Sequence, residues 1–209
     1  MSTRIGLMSD LHAAPEPVQE ALSVFRAAGV SRIFCGGDIA GYGDRLDDTI
    51  AILRNSPCQS ILGNHEVWYL EKHGPNADPP AEYFRNLPYV IDEIIAGKRI
   101  YLVHASPPQS IMDGIKLLDE TGRIMPDQKI AWTERLYGFE PDVLIVGHTH
   151  QVFAEQLGQT LVINPGSTRF NHTCAILQLP EMKVEVIPLS GETPVLAWNW
   201  GMEAYNDSN

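Results

Sequence analysis

Apolar residues recur along this chain in two rhythms. Short continuous runs bounded by turn residues, at Arg4–Met8, Arg32–Cys35, Gln59–Leu62, Arg99–Val103 and Val143–Val146, predict buried strands, because a strand covered on both faces carries apolar side chains at nearly every position. Pro17–Ala28 and Leu46–Asn55 follow helical spacing instead, the first opened by a proline and closed by Gly29. Strand and helix therefore alternate, as in α/β domains. The last third differs: Val152–Glu155, Thr160–Ile163, Thr173–Gln178 and Lys183–Pro188 predict short strands joined by turns at Leu157–Gln159 and Pro180–Met182. Antiparallel hairpins completing a second sheet are expected there. Glu71–Pro80 and Ser106–Asp127 follow neither rhythm, and long irregular segments in compact domains are often functional loops.

Composition narrows the picture. The chain has 209 residues, 44% of them hydrophobic, with no linker and no internal repeat, so one domain over 1–209 is expected, with a tail over about 190–209. Fifteen basic against 26 acidic residues leave a formal charge of −11, which repels polyanions and makes nucleic acid an unexpected partner. A phosphate substrate then needs local positive charge, which bound divalent cations supply. Cys35, Cys58 and Cys174 form no Cys-x-x-Cys pair, which argues against a disulfide framework and a thiolate zinc site and for a reduced, cytoplasmic setting. The start of the chain reaches Asp10 before any signal-peptide core, and no apolar run approaches the roughly 20 residues of a membrane span.

The chemistry lies at the ends of the predicted strands. Asp10-Leu11-His12 follows the first, Gly36-Gly37-Asp38 the second, Gly63-Asn64-His65-Glu66 the third, His104 the fourth and Gly147-His148-Thr149-His150 the fifth. Five of the seven histidines fall in these segments, His73 and His172 lying outside. Carboxyl ends of strands are where α/β sheets assemble sites. Carboxylate, imidazole and amide oxygen are shared ligands for Mn, Fe, Zn and Mg. Taken singly, an apolar-strand histidine is more often a hydrogen-bonded core residue, and an aspartate after a strand a turn former or helix cap. Five such segments in order are a different matter.

That ordered set, Asp-x-His, Gly-Asp, Gly-Asn-His-Glu, His and Gly-His-x-His, resembles the calcineurin-like metallophosphoesterase superfamily over Asp10–His150. The resemblance implies a two-sheet αββα sandwich with a metal site at the carboxyl ends of the strands. It implies two divalent ions, with manganese favoured: Asp10, His12, Asp38 and His150 on one, Asp38, Asn64, His104 and His148 on the other, and Asp38 bridging. A water shared by the metals would be the nucleophile, and His65, itself not a ligand in the family, the general acid. Gly37-Asp38-Ile39-Ala40-Gly41-Tyr42-Gly43 and Asn164-Pro165-Gly166-Ser167 are similar to the small bacterial and archaeal phosphodiesterases of the YfcE type. Gly41 stands where protein Ser/Thr phosphatases carry an aspartate and purple acid phosphatases a tyrosine ligand, which disfavours both branches.

The expected substrate is a small phosphorylated compound, most readily a phosphodiester. Arg169 is a candidate phosphate contact through its guanidinium fork, and so is Ser167, although Asn-Pro-Gly-Ser also reads as a plain turn. Trp68, Tyr69, Trp132, Tyr137, Trp198 and Trp200 could line a pocket, but core packing is the commoner use of aromatics. The tail is expected to dock on the body or on a second copy, which leaves a homodimer open. Two other classes compete: a scaffold of the same fold with little catalysis, which tends to lose ligands that are all present here, and a nuclease, which the negative charge opposes.

Overall fold

A computed structural model describes residues 2–74 and 78–198, so Trp200 and the end of the tail lie outside the described residues. Its elements run β1 (Thr3–Met8), α1 (Pro15–Ala27), β2 (Arg32–Cys35), α2 (Leu46–Arg54), β3 (Cys58–Ser60), α3 (Asn64–His73) and α4 (Pro79–Arg85). The chain continues through β4 (Val90–Ile95), β5 (Lys98–Val103), α5 (Pro126–Arg135), β6 (Val143–Ile145), β7 (Val152–Leu157), β8 (Thr160–Pro165), β9 (Thr173–Leu179) and β10 (Lys183–Pro188).

Two five-stranded sheets result, ordered β10-β9-β1-β2-β3 and β4-β5-β6-β8-β7. Strands β1, β2 and β3 pair in parallel, as do β5, β6 and β8, while β9 and β10 on one sheet and β4 and β7 on the other are antiparallel additions. The expectation that the late hairpins complete a second sheet holds for β7–β8 only. The β9–β10 hairpin crosses back to pair with β1, setting Ile5 opposite Leu177 and satisfying the edge that β1 would otherwise leave open.

Alternation along each strand divides the side chains among three apolar layers. Ile5, Leu7 and Phe34 of the first sheet meet Ile100, Leu102 and Ile163 of the second in the layer between the sheets. On the outer face of the first sheet, Met8, Ile33 and Cys35 pack under Val18 and Phe25 of α1 and Leu53 of α2. On the outer face of the second, Val103, Leu144 and Val162 pack under Trp132 and Leu136 at α5. Helices thus cover both outer faces, giving the αββα order, and strands buried on both faces explain the continuous apolar runs. Gly6 is the close approach: a Cβ there would stand 2.7 Å from the Phe25 ring, so its absence lets α1 settle onto β1.

Candidate metal centre

Each motif residue sits just beyond a strand, and both sheets contribute. Asp10 and His12 follow β1, Asp38 follows β2, Asn64 opens α3 after β3, His104 follows β5, and His148 and His150 follow β6. These residues converge although they are far apart in the chain: Nε2 of His12 lies 3.0 Å from Nε2 of His150, 138 positions later. Asp10, His12, Asp38, Asn64, His104 and His150 are all buried. Three groups of ligand atoms each lie within 4.8 Å of one another: Asp10, His12 and His150; His12, Asp38 and His65; Asp38, His104 and His148. Asn64 joins the third through Oδ1, which lies 3.1 Å from His104 Nε2 and 2.9 Å from His148 Nδ1.

The backbone is bent to achieve this. Asp10, His12, Asp38, His148 and His150 all adopt left-handed conformations, with φ of 53°, 47°, 51°, 64° and 48°. Such conformations are uncommon outside glycine, and they cluster where function requires a particular side-chain direction.

The donor set fits divalent cations. His12 Nδ1 faces the Ala40 carbonyl at 3.1 Å, and His104 Nδ1 faces the Gly36 carbonyl at 2.7 Å. Each carbonyl fixes the proton on Nδ1 and turns the Nε2 lone pair inward, the usual outer support of a metal-bound imidazole. His104 Nε2 then confronts two acceptors, Asn64 Oδ1 and, at 3.3 Å, Asp38 Oδ2. Lone pairs aimed at one another are stable only with a cation between them, whether a proton or a metal.

Electrostatics express the same crowding. Burial penalises charge on Asp10 and Asp38, yet His150 beside the first and His104 beside the second hold both carboxyls below the usual carboxylate range. Burial would lower His104, but the Asp38 carboxylate pushes it up to about 10. Burial brings His12 down to about 4 against the pull of Asp38 and Asp10, which keeps it a neutral donor. His65 is also lowered by burial, against the pull of Asp38. Its Nε2 lies 4.0 Å from Asp38 Oδ2, and its backbone N–H donates to Asp38 Oδ1 at 3.0 Å.

Arg169 and Ser167 stand differently from the ligand candidates. Arg169 Nη1 donates to the His12 carbonyl at 2.9 Å, and the residue does not line the cleft over the cluster. Ser167 is fully buried; its Oγ donates to the Asp10 carbonyl at 2.6 Å and accepts the backbone N–H groups of Arg169 and Phe170. Asn164 and Pro165 end β8 and Ser167 bridges to Ser9, so the Asn-Pro-Gly-Ser segment buttresses the Asp10–His12 segment as a strand end and bridge, not as the plain turn it could also be read as.

Sequence reasoning passed over three residues. Glu66 is wholly buried, and its carboxylate accepts the N–H groups of Asp38, Ala40 and Gly63, each at 2.8 Å, tying the second motif to the third. Burial and the nearby Asp38 charge raise it to about 7, while the N–H donors favour its ionised form. A glutamate three residues after the helix-capping Gly63 was the available signal. Tyr42 lines the cleft, its ring centroid 4.8 Å from those of His12 and His65. Lys116, in a loop without periodicity, lines the cleft as well. Of the aromatic candidates, Trp68 flanks the cleft, Trp132 belongs to the core beneath α5, Tyr137 is 86% exposed, Tyr69 stacks on His73, and Trp198 packs on Phe170.

A two-sheet α/β sandwich whose strand ends gather acidic, amide and imidazole ligands defines a metal-binding hydrolase architecture. The chain belongs to the calcineurin-like phosphoesterase superfamily, whose domain model matches residues 3–181. Membership puts it among the hydrolases acting on phosphoesters. An uncharacterised protein of Methanocaldococcus jannaschii is 26% identical over 183 residues, covering 79% of this chain and 70% of its own. A hypothetical protein of Pyrococcus horikoshii shares the fold with a TM-score of 0.71 at 16% identity, covering 99% of this chain and 92% of that one. The phosphoesterase Yfce of E. coli shares it with a TM-score of 0.56 at 16% identity, covering 90% of this chain and all 100% of the other. Among the described residues no helix is long and apolar enough to cross a membrane.

Proposed function

We propose that the protein, working as one domain, holds two divalent cations bridged by Asp38 and hydrolyses a phosphodiester of a small compound. The observation that supports this most directly is the membership of Asp38 in two of the three ligand groups. Bound cations would offset phosphate charge and activate a water for in-line displacement.

The chain's own residues position and protonate. Asp10, His12, Asp38 and His150 hold one ion, and Asp38, Asn64, His104 and His148 the other. The Gly36 and Ala40 carbonyls orient His104 and His12. His65, on the wall of the cleft, donates a proton to the departing oxygen. Arg169, whose Nη1 braces the His12 carbonyl, keeps its remaining guanidinium donors for a phosphate oxygen. Manganese is the metal to supply first.

Metal analysis joined to assays on a panel of phosphomonoesters and phosphodiesters tests the reading. The expected result is about two equivalents of divalent metal, with diesters turned over faster than monoesters. Metal-loaded protein inert on every ester would overturn it in favour of a scaffold of the same fold.

A further inference from the structure

Beside the metal cleft lies a second cavity of about 850 Å³, walled by the irregular Ser106–Asp127 loop and by α5. Lys116 lines both spaces. The backbone on either side of it is pinned by Thr149 of the fifth motif and by Gln151, which follows that motif. Thr149 Oγ1 donates to the Ile115 carbonyl at 3.1 Å, and Gln151 Oε1 accepts the N–H groups of Leu117 and Leu118 at 2.8 and 2.9 Å. Ile115 and Leu117 are fully buried, so the loop is anchored in the core on either side of an exposed lysine. Among the described residues Lys116 has no hydrogen-bonded or ion-paired partner.

The same lining carries a second cation. The Arg135 guanidinium lies over the Trp132 ring, 4.8 Å from its centroid, an arrangement that pre-orients its donors, and it too has no carboxylate partner among the described residues. One acidic side chain, Asp113, stands against these two cations in the described lining. In a chain of net charge −11, two unpaired cations in one concavity beside a phosphoesterase site need a reason. Trp132, Leu136 and Phe139 supply the apolar wall that small-molecule sites use for an organic body, and the volume falls within the roughly 300–1,000 Å³ of such sites.

We propose that this cavity receives the organic arm of the ester, and that Lys116 together with Arg135 binds a phosphate carried on that arm. The substrate class is then a phosphodiester of a nucleoside-sized compound that bears a further phosphate. The proposal rests on the phosphoesterase reading for its reaction but on separate residues for its binding.

The test compares thymidine 5′-(p-nitrophenyl phosphate) with its 3′-phosphorylated counterpart, two diesters that release the same chromophore. The expected result is a KM lower by about tenfold for the phosphorylated diester, the worth of roughly one charge-assisted contact. That preference should vanish in Lys116→Ala, shrink in Arg135→Ala and survive in Lys116→Arg. Calorimetry with thymidine 3′,5′-bisphosphate and with thymidine, on metal-free protein, reads binding without turnover. Tighter binding of the bisphosphate that depends on Lys116 supports the subsite even if neither diester is hydrolysed, in which case the proposed reaction alone fails. Equal binding of the two compounds, or a preference untouched by both alanine variants, overturns it.

Discussion

His65 and Glu66 are neighbours in sequence with opposite surroundings. His65 is partly open on the cleft beside Asp38, whereas Glu66 points into the core and is consumed by three backbone N–H donors. In the proposed reaction the first would touch a reacting group; the second positions the Asp38 loop. Removing the His65 imidazole should therefore leave the ligand set intact. His65→Ala is expected to bind metal as the parent does while kcat falls by about 10² to 10⁴, the usual contribution of a general acid. Metal content and single-substrate kinetics measured together check this, and an unchanged kcat removes His65 from the mechanism. The candidate ligands were legible because their residue types recur at predicted strand ends. Glu66, Lys116 and the hydrogen bond from Arg169 to the His12 carbonyl were not, since each depends on contacts made by segments distant in the chain.

Among the elements, those with strong apolar periodicity were legible and those facing solvent were not. Helices α1 and α2 and nine of the strands follow patterns visible in the sequence, with ends displaced by a few residues. Helix α3 escaped because among its residues only Asn64 and Glu66 are buried, both polar, so no apolar stripe marks it. Helix α5 buries only Trp132, and β4 is an edge strand with Ile94 78% exposed. Helix α4 did carry a signal, Asp78 capping the Ala81 N–H at 2.7 Å ahead of two prolines. One close junction between elements is Gly6 of β1 against Phe25 of α1. Gly6→Ala sets a methyl 2.7 Å from the ring. It should cost about 1–3 kcal/mol by overpacking, read as a lowered Tm. Adding Phe25→Leu should recover part of the loss, and a Tm equal to that of the parent would show that the junction is looser than described.

For the whole molecule, the two sheets bring their own candidate ligands to one place, so the site is also a seam. Asp10 and Asp38 follow strands of the first sheet and His104 and His148 strands of the second, while Asn64, which follows β3 of the first sheet, meets both of these histidines through Oδ1. Divalent ions bound there would favour the folded state over an unfolded chain that cannot assemble the ligands. At about 100-fold excess over Kd the gain is about 2.7 kcal/mol. Stripping metal with a chelator should therefore lower Tm, and manganese should restore it; a melting curve indifferent to both would argue against a metal seam. The sequence by itself determined which strands are buried on both faces and the kind and order of the candidate ligands, because strand periodicity and strand-end chemistry are local properties. Only the tertiary structure decided that β9–β10 returns to β1, that Arg169 serves His12, and that Lys116 stands between the cleft and the larger cavity. Periodicity reports which faces are buried, whereas pairing and side-chain partners are set by segments as far apart as His12 and His150, 138 positions, brought together only by folding.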